Sequence, residues 1–286
     1  MALTEPQYTV EQLIENIKRR CSVPTSQLTY TDKDFALLAN DTLQGEVIPL
    51  IMSAREEFFV DKVDISMPSD RIIDFPNNTV ASKVRAACYV QNTSPETLIN
   101  IPRVDLDVVT GVGFNNFNTL AGFYIQGNSL VFYPKTSIPV STMIRIYYYK
   151  RSLVLSEPSA YGRIQSIDTN ANTVVLDFVP ADWKNGSKLN AQKSGTPFEM
   201  SNEDLTIVTV SSPSVILDSV EGLSVGDYIS TQGFVAIPQL PIEAHAYLAQ
   251  LTAIKALEGL GDAQGKESAA RSEDEAGFKT SSALYW

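Results

Sequence analysis

"DLTIVTVSSPSVILDSVEGLSVGDYISTQG", Asp204 to Gly233, sets short apolar runs between clusters of Ser, Pro and Gly. Runs rich in Val, Ile and Thr that end at turn-forming residues read as strands, being too short and too β-branched for helix. "SVGDYI" within it is a turn leading into a strand. Upstream, "GRIQSIDTNANTVVLDFVPADW", Gly162 to Trp183, has the same texture. Residues 161–235 are therefore expected to form a small barrel or sandwich. No repeat of fixed period is evident in them.

Toward the N-terminus the strand pattern continues. "DKVDISMP", "KVRAACYVQ" and "TLINIPRVDLDVV" are strand-like, and "GFYIQGNSLVFYP" reads as a hairpin turning at Gly127-Asn128. In "TMIRIYYYKRSLVL", Ile144, Ile146 and Tyr148 share one face, and Arg145, Tyr147 and Tyr149 the other. A Tyr-rich strand can border an interface, although plain burial is the simpler expectation.

The outer ends read as helix. "VEQLIENIKRR" places apolar residues at 10, 13, 14 and 17, with acids early and bases late, before Pro24. "TYTDKDFALL" offers Thr31 as N-cap and Asp32 and Asp34 for the first turn of a second helix running toward Phe59. Pro49 lies inside it, removing the hydrogen bond to residue 45. That residue is Gly, so a tolerated kink is expected.

Near the other end, "LPIEAHAYLAQLTAIKALEGLGDAQG" (Leu240–Gly265) carries two apolar stripes at helical spacing. One is Ala244, Tyr247, Leu251 and Ile254; the other is Ala246, Ala249, Ala253, Ala256 and Leu260. The alanines of the second admit a close helix neighbour. His245 falls between the stripes beside Thr252 and Lys255, and is expected to be a solvated or capping residue.

These segments imply an α+β fold: a helical core built from both termini, a central β region and an inserted small β-barrel or sandwich. The expected boundaries are 1–60 for the N-terminal helices, 61–160 for the β-rich middle, 161–235 for the insertion, and 236–286 for the last helix and tail.

The chain of 286 residues is 44% hydrophobic and 19% charged, a globular composition. It has no apolar run long enough for a membrane span. "MALTEPQYTVEQL" lacks the basic and apolar regions of a secretory signal, and the two cysteines, Cys21 and Cys88, suit a reducing cytosol. The net charge of −11 opposes gripping nucleic acid, which requires Lys and Arg. It suits a surface that DNA passes without sticking, although plain solubility is the simpler expectation.

Catalytic residues are few. One histidine excludes a multi-His zinc site, and no CxxC or GxSxG occurs. "GVGFNNFNTLAG", with Gly111, Gly113 and Gly122, lacks the Lys-Ser/Thr of a phosphate loop and reads as an Asn-rich loop. Asp105 and Asp107 share one side of a strand, a pair suited to a cation but more simply solvated. Paired-carboxylate glycosidase chemistry finds no support. Neither an enzyme nor a cofactor or metal site is expected.

Taken together, "TDKDFALLANDTLQGEVIPLIMSAREEFFV", "IRIYYYKRSLVL" and "IPQLPIEAHAYLAQLTAIKALEGLGDAQG" resemble the head-to-tail adaptor proteins of tailed bacteriophages. The resemblance covers about a third of the chain. It departs at Ser152, where the family pattern has proline, and in the added β block. It implies a structural virion protein of the neck, between capsid and tail, made in the host cytoplasm. Such a protein forms a ring, usually of twelve copies, on the portal protein, meets tail or neck proteins below, and extends the DNA channel. Alternatives are another tail or baseplate connector, or a carbohydrate-binding β-domain on a helical stalk.

The end of the chain, "GKESAARSEDEAGFKTSSALYW", pairs Glu267 with Arg271 and Glu275 with Lys279 at helical spacing. Phe278, Leu284, Tyr285 and Trp286 are large groups on this polar tail. In the adaptor reading they anchor to the portal or a neighbouring subunit; otherwise they fold back on their own subunit.

Overall fold

The computed structural model describes residues 8–22, 30–76, 78–105, 122–134, 138–196 and 198–261. The chain forms two compact units, one from Met1–Arg55 with Ser152–Trp286, the other from Glu56–Arg151. The expected α+β fold with a helical core from both termini does not form. The chain is mostly β, 40% strand against 27% helix. The terminal helices have the clearer local periodicity, but two strand-built regions each close a hydrophobic core of their own. Helices are therefore not needed to supply the organising core.

In the first unit, α1 (Val10–Arg20) starts at Thr9, whose side chain and Gln12 form a capping box, and buries Val10, Leu13, Ile14 and Ile17. Its end lies at Cys21; the proline at 24 falls outside the described residues. Thr31 and Asp34 form a second capping box at the start of α2 (Asp32–Thr42). A π-turn, Leu43–Val47, joins α2 to α3 (Ile48–Arg55). The Ile48 N–H reaches back to the Leu43 carbonyl there, so the widened turn accommodates Pro49. Helix α4 (Ile242–Leu260) begins after Pro241 and stops at Gly261, whose φ of 73° suits glycine. Both α1 and α2 pack on α4.

The same unit holds a closed six-stranded barrel of β9 (Tyr161–Asp168), β10 (Thr173–Leu176), β11 (Lys188–Gln192), β12 (Met200–Ser211), β13 (Ser214–Leu217) and β14 (Tyr228–Thr231). Around the barrel the order is β10-β13-β12-β11-β14-β9. It is built from two equivalent halves, β9-β10-β11 and β12-β13-β14, that exchange hydrogen bonds crosswise. Leu176 N–H donates to Pro213 O and Leu217 N–H to Asn172 O; Gly186 N–H donates to Ile207 O and Gly226 N–H to Ile164 O. Within each half an aspartate repeats one contact: Arg163 N–H donates to Asp177 Oδ1 at 2.7 Å, and Thr206 N–H to Asp218 Oδ1 at 2.9 Å. "VVLDFV" (174–179) thus matches "VILDSV" (215–220). The separation is 43 residues from Ile164 to Ile207, 41 from Leu176 to Leu217, and 40 from Leu189 to Ile229. All six line the barrel core. This drifting offset hides the repeat from any search at fixed period.

The segments entering and leaving the barrel run side by side. Strands β8 (Val154–Leu155) and β15 (Phe234–Val235) pair in parallel, and Ser156 N–H donates to Val235 O.

The second unit is a sandwich of an antiparallel sheet, order β1-β7-β3-β4, and a smaller one, order β2-β6-β5. Its strands are β1 (Val60–Ser66), β2 (Ile72–Asp74), β3 (Thr79–Thr93), β4 (Glu96–Ile101), β5 (Gly122–Gln126), β6 (Ser129–Tyr133) and β7 (Met143–Lys150). Gly127, at φ 60°, occupies the two-residue β5–β6 turn at the predicted position. Ile144, Ile146 and Tyr148 of β7 enter the core with Phe123, Leu130 and Phe132. The opposite face of β7 is buried as well at Arg145 and Tyr149.

A side chain at Gly162 would place its Cβ 2.1 Å from the Phe178 carbonyl oxygen, a backbone atom that cannot swing away. Gly162→Ala is expected to destabilise the protein by roughly 1–3 kcal/mol, read from denaturant melts. Unaltered stability would mean that β9 and the Phe178 segment are not this close.

Candidate functional site

Buried polar side chains of the first unit gather around the connections that enter and leave the barrel. Three side-chain amides each bind a main-chain group there. Asn40 Nδ2 donates to Leu155 O at 3.3 Å, and its Oδ1 accepts from Leu155 N–H at 2.8 Å. Gln192 does the same with Ile237, at 2.8 and 3.0 Å. The Gln239 Oε1 accepts from Leu153 N–H at 2.8 Å, while its Nε2 donates to Phe198 O at 3.4 Å. A primary amide offers a donor and an acceptor in the spacing of a peptide, so each substitutes for a missing strand partner. Sequence reading missed all three. Only Gln239, inside the apolar run "FVAIPQLP", stands out in the sequence by its polarity.

Asp227, also buried, accepts from the Ser224 N–H at 3.0 Å and the Ser201 hydroxyl at 2.7 Å. In the other half of the barrel Ser187 Oγ takes the equivalent bond, from Lys184 N–H at 3.1 Å.

Of the predicted packing residues, Ala249, Ala253 and Ala256 are fully buried and Ala246 is half-buried. The Cys21 thiol, at the end of α1, donates to the Ala253 carbonyl at 3.4 Å. Burial pushes that thiol up to about 11. Two separate stripes understate the burial of α4, since Gln250 and Thr252 are also enclosed. Thr252 Oγ1 donates to Leu248 O at 2.8 Å, and Arg20 donates to Gln250 Oε1.

His245 requires a correction. It is neither solvated nor a cap: it is 0% exposed, with its ring centroid 5.9 Å from that of Tyr8. Neither ring nitrogen makes a hydrogen bond; the Pro238 and Leu240 carbonyls lie nearby without bonding geometry. Desolvation lowers its pKa to about 4, outweighing those carbonyls and Glu243, which pull upward. Two stripes left a gap between them for His245, whereas α4 is enclosed at that gap as well.

In the second unit, Arg145 on β7 holds Asp64 of β1 through two bonds of 2.7 and 2.8 Å, and Glu96 of β4 through one of 2.6 Å. Hydrogen bonding to these carboxylates raises the arginine further and lowers Asp64. The group reaches across the whole four-stranded sheet. Tyr149, pushed up to about 12 mainly by burial and also by its bond to Glu56, has the Lys83 ammonium 4.3 Å from its ring centre.

Asp105 is exposed; Asp107, Gly111, Gly113, Phe278, Leu284, Tyr285 and Trp286 lie outside the described residues. Among the described residues no group of three or more His, Cys, Asp or Glu is placed to hold a metal ion. No protein-family model matches the chain, and no curated protein matches it.

Ala253→Leu adds three carbons to a fully enclosed position and is expected to cost about 1–3 kcal/mol; Ala246→Leu should cost clearly less. Equal melting temperatures for the two variants would contradict this packing. Gln192→Leu leaves the Ile237 N–H and C=O without partners, at about 1–3 kcal/mol per buried group. A variant melting like the parent would show that water replaces the amide.

Proposed function

We propose that the chain is a structural virion protein, a head-to-tail adaptor whose copies form a ring on the portal and carry the DNA channel toward the tail. The observation that carries this reading is the use made of the buried polar groups. Asn40, Gln192, Gln239 and Asp227 are all turned onto the protein's own backbone, where they rigidify a scaffold. The resemblance of the first helices, the β7 strand and the last helix to adaptor proteins supplies the assembly context. Ring closure follows when one head-to-tail contact repeats by rotation.

Charge supports the channel role. Residues 56–151 contain nine acidic and nine basic side chains, so the whole −11 resides on the helix–barrel unit. Twelve copies bring about −132 to the ring, a field that keeps the duplex from adhering.

Negative-stain imaging and mass photometry, with and without purified portal particles, test the proposal. Rings seated on the portal are expected. A chain that stays monomeric beside portals and binds glycans would overturn it in favour of a carbohydrate-binding module. Deleting Phe278–Trp286 should abolish retention on portals at unchanged melting temperature. Lost thermal stability with retention intact would instead place those aromatic residues in their own subunit.

A further inference from the structure

We propose that Tyr8 and His245 form an acid-operated latch that holds the N-terminal segment and α1 against the start of α4. The proposal stands apart from the assembly reading and rests on different residues.

Among the described residues, Tyr8, Thr9 and Val10 each meet another part of the first unit. Val10 N–H donates to Ala236 O at 2.8 Å. Thr9 and the Glu11 backbone lie near the Tyr161 hydroxyl at the start of β9 and pull its pKa down against the larger upward effect of burial. Tyr8 lays its ring against the imidazole at an interplanar angle of 39°. His245 thus sits under the segment, fully enclosed.

Its surroundings suit the neutral ring alone. The N-terminal segment presents the Tyr8 phenol, and α1 presents Val10, Leu13, Ile14 and Ile17 on its buried face. The connection 236–241 presents the Pro238 and Leu240 carbonyls and no charged side chain. On α4 itself Glu243 is the charged neighbour, and it is exposed. The face of α2 that packs inward carries Phe35, Ala36 and Ala39. An imidazolium here would lose its hydration and gain only the exposed Glu243 carboxylate in return, which does not offset the burial.

The sign follows from the two protonation equilibria. With a folded-state value near 4 against an ordinary 6.5, the released state binds the extra proton. Docking is complete above pH 6.5, weakens as pH falls toward 4, and loses nothing more below that. Release of α1 exposes Val10, Leu13, Ile14 and Ile17 and breaks the Cys21 and Arg20 bonds to α4, yet it leaves the separate barrel and sandwich cores closed, so it is a smaller opening than unfolding of either.

His245 is the only histidine in the chain, so its imidazole NMR signals are assigned without ambiguity. The wild-type titration is expected to have a midpoint below 5. In parallel, hydrogen exchange followed by mass spectrometry reads residues 8–21 against the barrel strands. Between pH 7.5 and 5 the opening constant of residues 8–21 should rise roughly 30-fold, after correction for intrinsic exchange. Barrel protection should stay unchanged. His245→Phe, which keeps a ring against Tyr8, should remove the acid dependence. A midpoint at or above 6.5, the same acid response in His245→Phe, or simultaneous loss of barrel protection would each overturn the latch. If that variant does not fold, the wild-type titration and exchange decide alone.

Discussion

The first unit depends on a short parallel pairing at the root of its barrel. Parallel strands only two residues long make a weak ladder, and the segments around β8 and β15 would otherwise bury unpaired peptide groups. Asn40, Gln192 and Gln239 supply the missing partners from α2, from the barrel and from the connection itself. Each joins two elements that are distant in sequence. The barrel is for this reason not a bead on a string, and it falls in the same compact unit as the helices.

The barrel itself is economical because two similar halves satisfy one another. Each half lends its loop N–H groups to the other's strand, so neither half is complete alone. Departures from equivalence mark where each half does something extra. Gly162 stands where the other half has Leu205, because the Phe178 backbone comes too close for a side chain. Asp227 stands in place of Ser187 and accepts additional bonds from Ser201 and the Ser194 N–H, tying down the segment between the halves.

Electrostatics divide along the same line as the fold. The sandwich unit balances its charges and holds several in pairs, among them Arg145 with Asp64 and Glu96, and Lys150 with Asp61, whose cations are both buried. The helix–barrel unit carries the net negative charge, while burial favours the neutral form of its enclosed His245 ring. Burial of a base without an acid partner is a standing cost at low pH, and a protein retains such a group most readily where opening is local.

Local chemistry alone determined several elements. The boxes at Thr9 and Thr31 satisfy the first N–H groups of α1 and α2 from within a few residues. Gly127 turns the β5–β6 hairpin because its own φ allows it, and Gly261 stops α4 in the same way. The alternation of β7 correctly assigns Ile144, Ile146 and Tyr148 to one core face. What the tertiary structure decided is everything set by partners far along the chain. Periodicity places two apolar stripes on α4 but cannot count how many elements surround it, so the burial of His245 between them is not legible in the sequence. The halves of the barrel match by spatial exchange, and turns of unequal length erase the constant spacing between Ile164 and Ile207, Leu176 and Leu217, Leu189 and Ile229. Which units form is set in the same way, because the bonds that weld the barrel to the helices, Asn40 to Leu155 and Gln192 to Ile237, exist only once those elements meet.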